Sequence, residues 1–199
     1  MQNPREELKS VVTLLTTAVS PDVQKATAER YLTPDVGFRH PICSVTPGPG
    51  SRDSLLGIYQ WYRIMSPKIE ARVESVMYDA ENDVAFVEVR QKFHIRLSPF
   101  NPAWARLIVR LTLREVEGLH YIAFQEDFYH PDDFMSLLIP PIAPIIRLAL
   151  KGATIGSNIN ASIGQFLGFW QTSDTRPSSE DTAAGHHDTR GLYDGNKTD

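Results

Sequence analysis

Residues 66–97 read SPKIEARVESVMYDAENDVAFVEVRQKFHIRL, and the period of this stretch decides the fold. Ile69, Ala71, Val73, Ser75 and Met77 alternate with Lys68, Glu70, Arg72 and Glu74. Successive strand side chains point to opposite faces, so the alternation predicts a half-buried strand. Asp79-Ala80-Glu81-Asn82-Asp83 has the composition of a hairpin turn. In the run that follows, Ala85, Val87, Val89, Gln91, Phe93, Ile95 and Leu97 share one face. Val84, Phe86, Glu88, Arg90, Lys92, His94 and Arg96 share the other. Val84 to Leu97 would extend about 46 Å at ~3.3 Å per residue, which is long for a small domain and predicts a bend or bulge.

The same period continues downstream. Ala105, Leu107, Val109, Leu111 and Leu113 oppose Arg106, Ile108, Arg110, Thr112 and Arg114 in a third strand. Glu117-Gly118 is a turn, and Tyr121–Tyr129 is a fourth strand. Upstream the period is helical. Leu8, Val11, Val12 and Leu15 predict a first helix from Pro4 to Ala18. Ser20-Pro21-Asp22 starts a second, short helix carrying Val23, Ala26, Thr27, Arg30 and Tyr31. Thr33-Pro34 ends it, Phe38–Ile42 is a short extended piece, and Thr46–Gly50 is a loop. Ser51 caps a third helix with Leu55, Ile58, Tyr59, Tyr62 and Met65 on one side. Helices first and hairpin-linked strands after them predict an α+β fold. A strongly curved antiparallel sheet wrapped over the helices forms a cone, and its open end is a natural ligand pocket.

The chain of 199 residues suits one compact domain plus a tail. A net charge of -4 provides no general basic field for nucleic acid, so no nucleic-acid partner is expected. Cys43, the single cysteine, can form neither an internal disulfide nor a multi-cysteine zinc site. The polar start Met1-Gln2-Asn3-Pro4-Arg5-Glu6-Glu7 does not read as a secretory signal, so an intracellular, reducing compartment is the expectation. Phe134–Trp170 carries only Arg147 and Lys151 as charges and is punctuated by Pro140, Pro141 and Pro144 and several glycines. Spanning a membrane needs roughly 20 uninterrupted apolar residues, and Ile142–Leu150 falls short of that. Residues 134–170 therefore form an apolar helical extension with three roles open: covering the domain's own core, holding a homodimer partner, or meeting or entering a membrane. Residues 1–133 are the domain proper, and the polar stretch 171–199 is expected to be a disordered tail.

Pro34-Asp35-Val36-Gly37-Phe38-Arg39-His40-Pro41, followed by a loop and Ser51-Arg52-Asp53-Ser54-Leu55-Leu56-Gly57, resembles the NTF2-like superfamily, which includes SnoaL-like cyclases. Gly57–Arg63, Ala105–Leu111, Gln125–Asp133 and Ser157–Ala161 are similar to a fungal group of SigF-like NTF2-like proteins. The likeness covers about residues 5–170. It implies a cone fold, and it leaves function wide, because one fold hosts isomerases, cyclases, epoxide hydrolases and non-catalytic binding modules.

Several residues are candidates for chemistry. Asp127 shares a strand face with Tyr121, Ala123, Gln125 and Tyr129, while Glu126 points the other way with Phe124 and Phe128. A carboxylate among aromatics inside the cone would have a raised pKa and serve as general acid or base. The alternative is an ion pair between Glu126 or Asp127 and Arg106, Arg110 or Arg114. His40 is placed by the resemblance at the pocket mouth; the alternative is a histidine bonded to backbone beside Pro41. Arg90, Lys92, His94 and Arg96 share a face that is either solvated or directed into the pocket, where Arg90 or His94 would polarise a substrate oxygen. In NTF2-like epoxide hydrolases an arginine held between two aspartates activates water; here Lys92 stands two residues after Arg90 in place of an aspartate. Tyr59 and Tyr62 can donate into a pocket from the third helix. The candidate catalytic set is thus Asp127, His40 and Arg90. Tyr59, Tyr62, His94, Arg110, Gln125 and Tyr129 form the candidate substrate-binding set.

No phosphate-binding glycine loop, Ser–His–Asp order or nicotinamide fingerprint occurs, and His186-His187 is a weak metal signal. The functional expectation is a metal-free and cofactor-free enzyme of secondary metabolism. Its substrate would be a hydrophobic small molecule, polyketide- or terpenoid-like, altered by acid/base isomerisation, cyclisation or epoxide opening. The alternative is a non-catalytic module binding a lipophilic ligand or a protein.

Overall fold

A computed structural model describes residues 1–169. The expected tail and the His186-His187 pair lie outside the described residues. Three helices come first: α1 (Pro4–Thr17), α2 (Pro21–Tyr31) and α3 (Ser51–Met65). Helix α2 has a side-chain cap, whereas α3 follows Gly50 and is not capped by Ser51. Pro4 and Pro21 occupy first-turn positions, and Ser20 Oγ accepts from Val23 N. The strands are β1 (Leu32–His40), β2 (Cys43–Val45), β3 (Lys68–Asp79), β4 (Val84–His94), β5 (Ala105–Val116) and β6 (Leu119–Tyr129). Helix α4 (Pro131–Leu138), a short 3-10 turn (Pro140–Ile142) and α5 (Ala143–Phe166) complete the described chain.

The six strands form one curved sheet in the order β2-β1-β6-β5-β4-β3. The α+β class and the cone are as expected. All neighbours are antiparallel except β1 and β6, which run parallel. Leu8, Val11 and Leu15 of α1 and Leu55 of α3 meet Val87, Val109, Leu111 and Ile122 of the sheet in one core. A fully buried Leu or Val contributes about 1.5–3 kcal/mol, so this contiguous set is the main source of stability. Residues 1–152 form one compact unit and residues from 153 onward a second. The first unit therefore runs past residue 133 and takes in α4 and the beginning of α5. Residues 153–169 of the second unit continue α5 to Phe166.

Local irregularities bend the sheet and change which side chains face inward. The β3–β4 register shifts between Val73 and Ser75. Glu74 is the extra residue, and beyond it Val76 and Tyr78 face the core while Met77 faces solvent. Strict alternation from Ile69 would place Ser75 and Met77 inside. A second shift lies between Thr112 and Leu113, opposite Phe124 and Ile122. It turns Ile122 inward and moves Tyr121 to the face of its partner Arg114, away from Asp127. Strand β4 ends at His94 instead of running on to Leu97, and Leu97 is exposed.

Gly37 is required by the close approach of β1 to β6. A Cβ there would sit 2.7 Å from Pro47 Cγ and closer still to the Phe124 ring. Gly37→Ala is therefore expected to cost about 1–3 kcal/mol by forcing β1 and β6 apart. Thermal unfolding of the two proteins checks this, and an unchanged midpoint contradicts it.

Candidate active site

The inner face of the sheet, helices α1, α3 and α4 and the end of β1 enclose a cavity of about 60 Å³. At ~10–15 Å³ per water this is room for about four to six waters or a short carbon fragment. Strand alternation aims Gln125, Asp127 and Tyr129 of β6 inward, and it aims Val89, Gln91 and Phe93 inward from β4. In the parallel register Phe38 lies beside Gln125 and Arg39 beside Glu126. One further residue brings His40 level with Asp127. Helix α3 contributes Tyr59 and Tyr62, one turn apart, and α4 roofs the space with Phe134, Leu137 and Leu138.

A relay of buried groups ends on the carboxylate. Tyr59 Oη donates to Gln125 Oε1 at 2.8 Å, and Gln125 Nε2 donates to Asp127 Oδ1 at 2.9 Å. Asp127 Oδ2 has no protein partner among the described residues. Gln91 Nε2 donates to Tyr129 Oη, which leaves the Tyr129 hydroxyl proton available. Ile42 N donates to His40 Nδ1 at 3.5 Å, so the neutral ring carries its proton on Nε2. The His40 ring sits among Phe38, Tyr62, Tyr129 and Phe134, with centroids 5.5–6.1 Å away. Tyr62 Oη contacts Cys43 Sγ at 3.6 Å.

These surroundings fix the protonation states. Burial pushes the Asp127 carboxyl up to about 7, against a smaller opposite pull from the Gln125 amide. Burial pulls the His40 imidazole down to about 4, so it is neutral at pH 7. Burial also raises Tyr59, Tyr62 and Tyr129, with the Asp127 charge adding to each, so all three keep their protons. Asp127 alone among these groups changes protonation near neutrality. His40, Asp127 and Tyr129 also line a shallow pocket beside Arg39 and Glu126 that opens to solvent. The carboxyl thus stands between the cavity and water, where it can be reprotonated.

Six of the nine candidate residues line this cavity: Asp127, His40, Tyr59, Tyr62, Gln125 and Tyr129. Three do not, and each is a correction. Arg90 lies between the inward Val89 and Gln91, so alternation turns it outward, where its guanidinium carbon is 5.9 Å from the Trp104 ring centroid. Arg72 and Lys92 flank the same ring at 4.9 and 5.0 Å. His94 is outward too, with Nε2 2.8 Å from Glu70 Oε1. With Lys92 beside it, His94 holds the Glu70 carboxyl down at about 2. Arg110 pairs with Glu126 at 3.0 Å on the outer face. That pairing settles the two β6 carboxylates: Glu126 takes the arginines, including Arg39 at 3.8 Å, and Asp127 goes inward without one. Neither Arg nor Lys lines the cavity.

Sequence reasoning missed Gln91 and Phe134. Gln91 had a signal, being a polar residue on the apolar face of β4. Phe134 had none, because an apolar stretch beyond the last strand does not announce what it folds back onto. Among the described residues no three His, Cys, Asp or Glu side chains gather as metal ligands.

Comparison with known proteins agrees with the architecture. An LEH-like epoxide hydrolase of M. tuberculosis superposes with a TM-score of 0.50 at 13% identity, over 73% of this chain and 99% of that one. An NTF2-like protein of unknown function from Burkholderia pseudomallei gives a TM-score of 0.51 at 11% identity, over 70% and 98% of the two chains. A ketosteroid isomerase-like fold from Catenulispora acidiphila, solved with trimethylamine, gives 0.48 at 17% identity over 64% and 90%. At such identities the likeness is one of fold. No curated protein matches the sequence. The sequence model of the SigF NTF2-like domain matches residues 1–169, and the chain belongs to that family.

Proposed function

We propose that this protein is a proton-transfer enzyme acting on a largely apolar molecule that bears a carbonyl, with Asp127 as the proton carrier. The observation that carries the reading is the Tyr59–Gln125–Asp127 relay. It fixes Oδ1 of a carboxyl that titrates near neutrality and leaves Oδ2 without a protein partner, among the described residues, at the wall of a largely apolar cavity. In the step proposed, Oδ2 takes a proton from the carbon next to the carbonyl, and the C–H electron pair moves onto the carbonyl oxygen. The Tyr129 hydroxyl and His40 Nε2–H, both neutral donors, stabilise that oxygen as charge builds. The carboxylic acid then returns its proton two carbons further on, giving isomerisation; attack of the enolate carbon on a second carbonyl, whose oxygen takes that proton instead, gives cyclisation. Epoxide opening by a buried arginine is less supported, since the cavity wall holds no Arg or Lys. The test is conversion of small β,γ-unsaturated ketones to their conjugated isomers, with deuterium uptake from D₂O as a second readout. Ligand binding with no acceleration of either would favour the alternative, a non-catalytic module for lipophilic ligands.

A second reading, for the extension, is favoured by exposure. Ile155, Ile159 and Ile163 of α5 are 61%, 54% and 50% exposed. With Phe166 they make one apolar stripe on this part of the helix. No helix of the described residues is long and apolar enough to cross a membrane. We infer that the stripe lies on a lipid surface, with the exposed Phe166, Leu167 and Phe169 at its end as interfacial anchors. The protein is expected to sediment with phosphatidylcholine vesicles, and Ile155→Ser/Ile159→Ser/Ile163→Ser to stay in solution. Concentration-dependent dimerisation without vesicle binding would assign the stripe to a second copy instead.

A further inference from the structure

Beyond the roof of the cavity lies a second hollow of about 290 Å³. The two share Phe93, Leu137 and Leu138, which form the partition between them. The outer hollow is apolar on its inner side, where Ile95 and Phe100 join the partition. It is cationic on its outer side, with Lys68 and Arg96 next to His94, and no carboxylate lines it. Its charge is not fully neutralised from nearby. Glu70 is shared by Lys68 at 3.3 Å, Lys92 at 3.1 Å and His94 at 2.8 Å, while Arg96 has no ion-pair partner among the described residues. The Arg96 guanidinium is therefore open to an anion that the described residues do not supply.

We propose that the cavity and this groove are two halves of one binding site for an amphiphilic anion, its apolar body reaching toward Asp127 and its carboxylate or phosphate held at Arg96 with Lys68. The inference rests on the reading of Asp127 given above and adds the substrate class to it. Size points the same way. The inner space of about 60 Å³ takes only a few carbons, and a longer substrate that extends past Phe93, Leu137 and Leu138 enters the groove. Charge decides which end goes in. The cavity offers a single ionisable carboxyl and no cation, so an anionic group is repelled there and welcomed at Arg96. Arg96 sits just past the end of β4, anchored by its backbone N–H on Met65 O at 2.9 Å, so its main chain is fixed while its side chain is free to reach the anion.

The test is calorimetric titration of the full chain with three probes sharing a ten-carbon chain: decanoate, decanol and decyltrimethylammonium. Decanoate is expected to bind about tenfold more tightly than decanol, and the ammonium compound least. Arg96→Gln, a surface change that spares the core, should remove the preference for decanoate and leave decanol unchanged. Leu138→Trp, filling the partition, should weaken both. Equal affinity for decanoate and decanol, or an Arg96→Gln protein that keeps the preference, overturns the inference. Asp127→Asn separates the two readings. Decanoate binding that persists in wild type and variant, with no proton transfer in either, defeats the enzyme reading alone. Proton transfer without charge-selective binding defeats the groove alone.

Discussion

Asp127→Asn should lose about 10²–10⁴-fold in the rate of proton transfer, the usual worth of a positioned acid or base, while gaining stability above pH 7. The two effects have one cause. At pH 8 the folded protein holds an ionised carboxylate in surroundings that raise its pKa from 3.8 to about 7. A shift of that size is worth up to about 4 kcal/mol, and partial contact with solvent at the mouth lowers the expected gain to the order of 2 kcal/mol. The asparagine side chain keeps the shape and can still accept from Gln125 Nε2, so the relay of Tyr59 and Gln125 stays intact. A variant that is dead and also more resistant to heat at pH 8 marks a group retained for chemistry at a cost in stability. A variant that is less stable at pH 8 would mean that Asp127 is a structural ion or hydrogen-bond partner, and the enzyme reading would fall. Isomerisation kinetics and thermal unfolding at pH 8 give both numbers.

Much of this site is legible in the chain before any coordinates. Alternation in β6 puts Gln125, Asp127 and Tyr129 on one face, and helical spacing puts Tyr59 and Tyr62 together, because both signals are local. Three features are not local. The parallel pairing of β1 with β6 brings His40 to Asp127 across a separation of more than eighty residues. Only the family resemblance hinted at it. The bulges at Glu74 and Ala123 each invert the alternation, and one added residue leaves no mark in composition. The direction of Arg90 is a third case. The period gives two faces of β4 and leaves open which one is concave. Val89 and Gln91 are inside because the aliphatic face outweighs one glutamine, and Arg90 is outside because Trp104 offers it a ring there. Helix α4, beyond the last strand, supplies the cavity's roof, and strand alternation carries no sign of that.

His40 and Asp127 should leave opposite signatures in the dependence of stability on pH. The His40 imidazole drops from 6.5 to about 4 on folding. The stability linked to it is complete above pH 6.5 and is lost as pH falls through 4, because the unfolded chain then binds the proton more tightly. The Asp127 carboxyl moves the other way, from 3.8 to about 7. The stability linked to it is complete below pH 3.8 and is lost as pH rises through 7. Between about pH 4 and 6.5 the two slopes oppose each other at ~1.4 kcal/mol per pH unit each, so their sum is nearly flat. Removing either group exposes the other. Asp127→Asn should lose stability on acidification from pH 6.5 to 4, and His40→Gln should gain it from pH 7 to 4, each relative to wild type. Taking differences cancels the surface carboxylates, Glu70 among them, which the variants share with the parent. Urea denaturation at half-unit intervals supplies the profiles. Two variants that both track the wild-type curve would show that neither group is shielded from water as described, and with that shielding would go the reason for Asp127 to act near neutral pH.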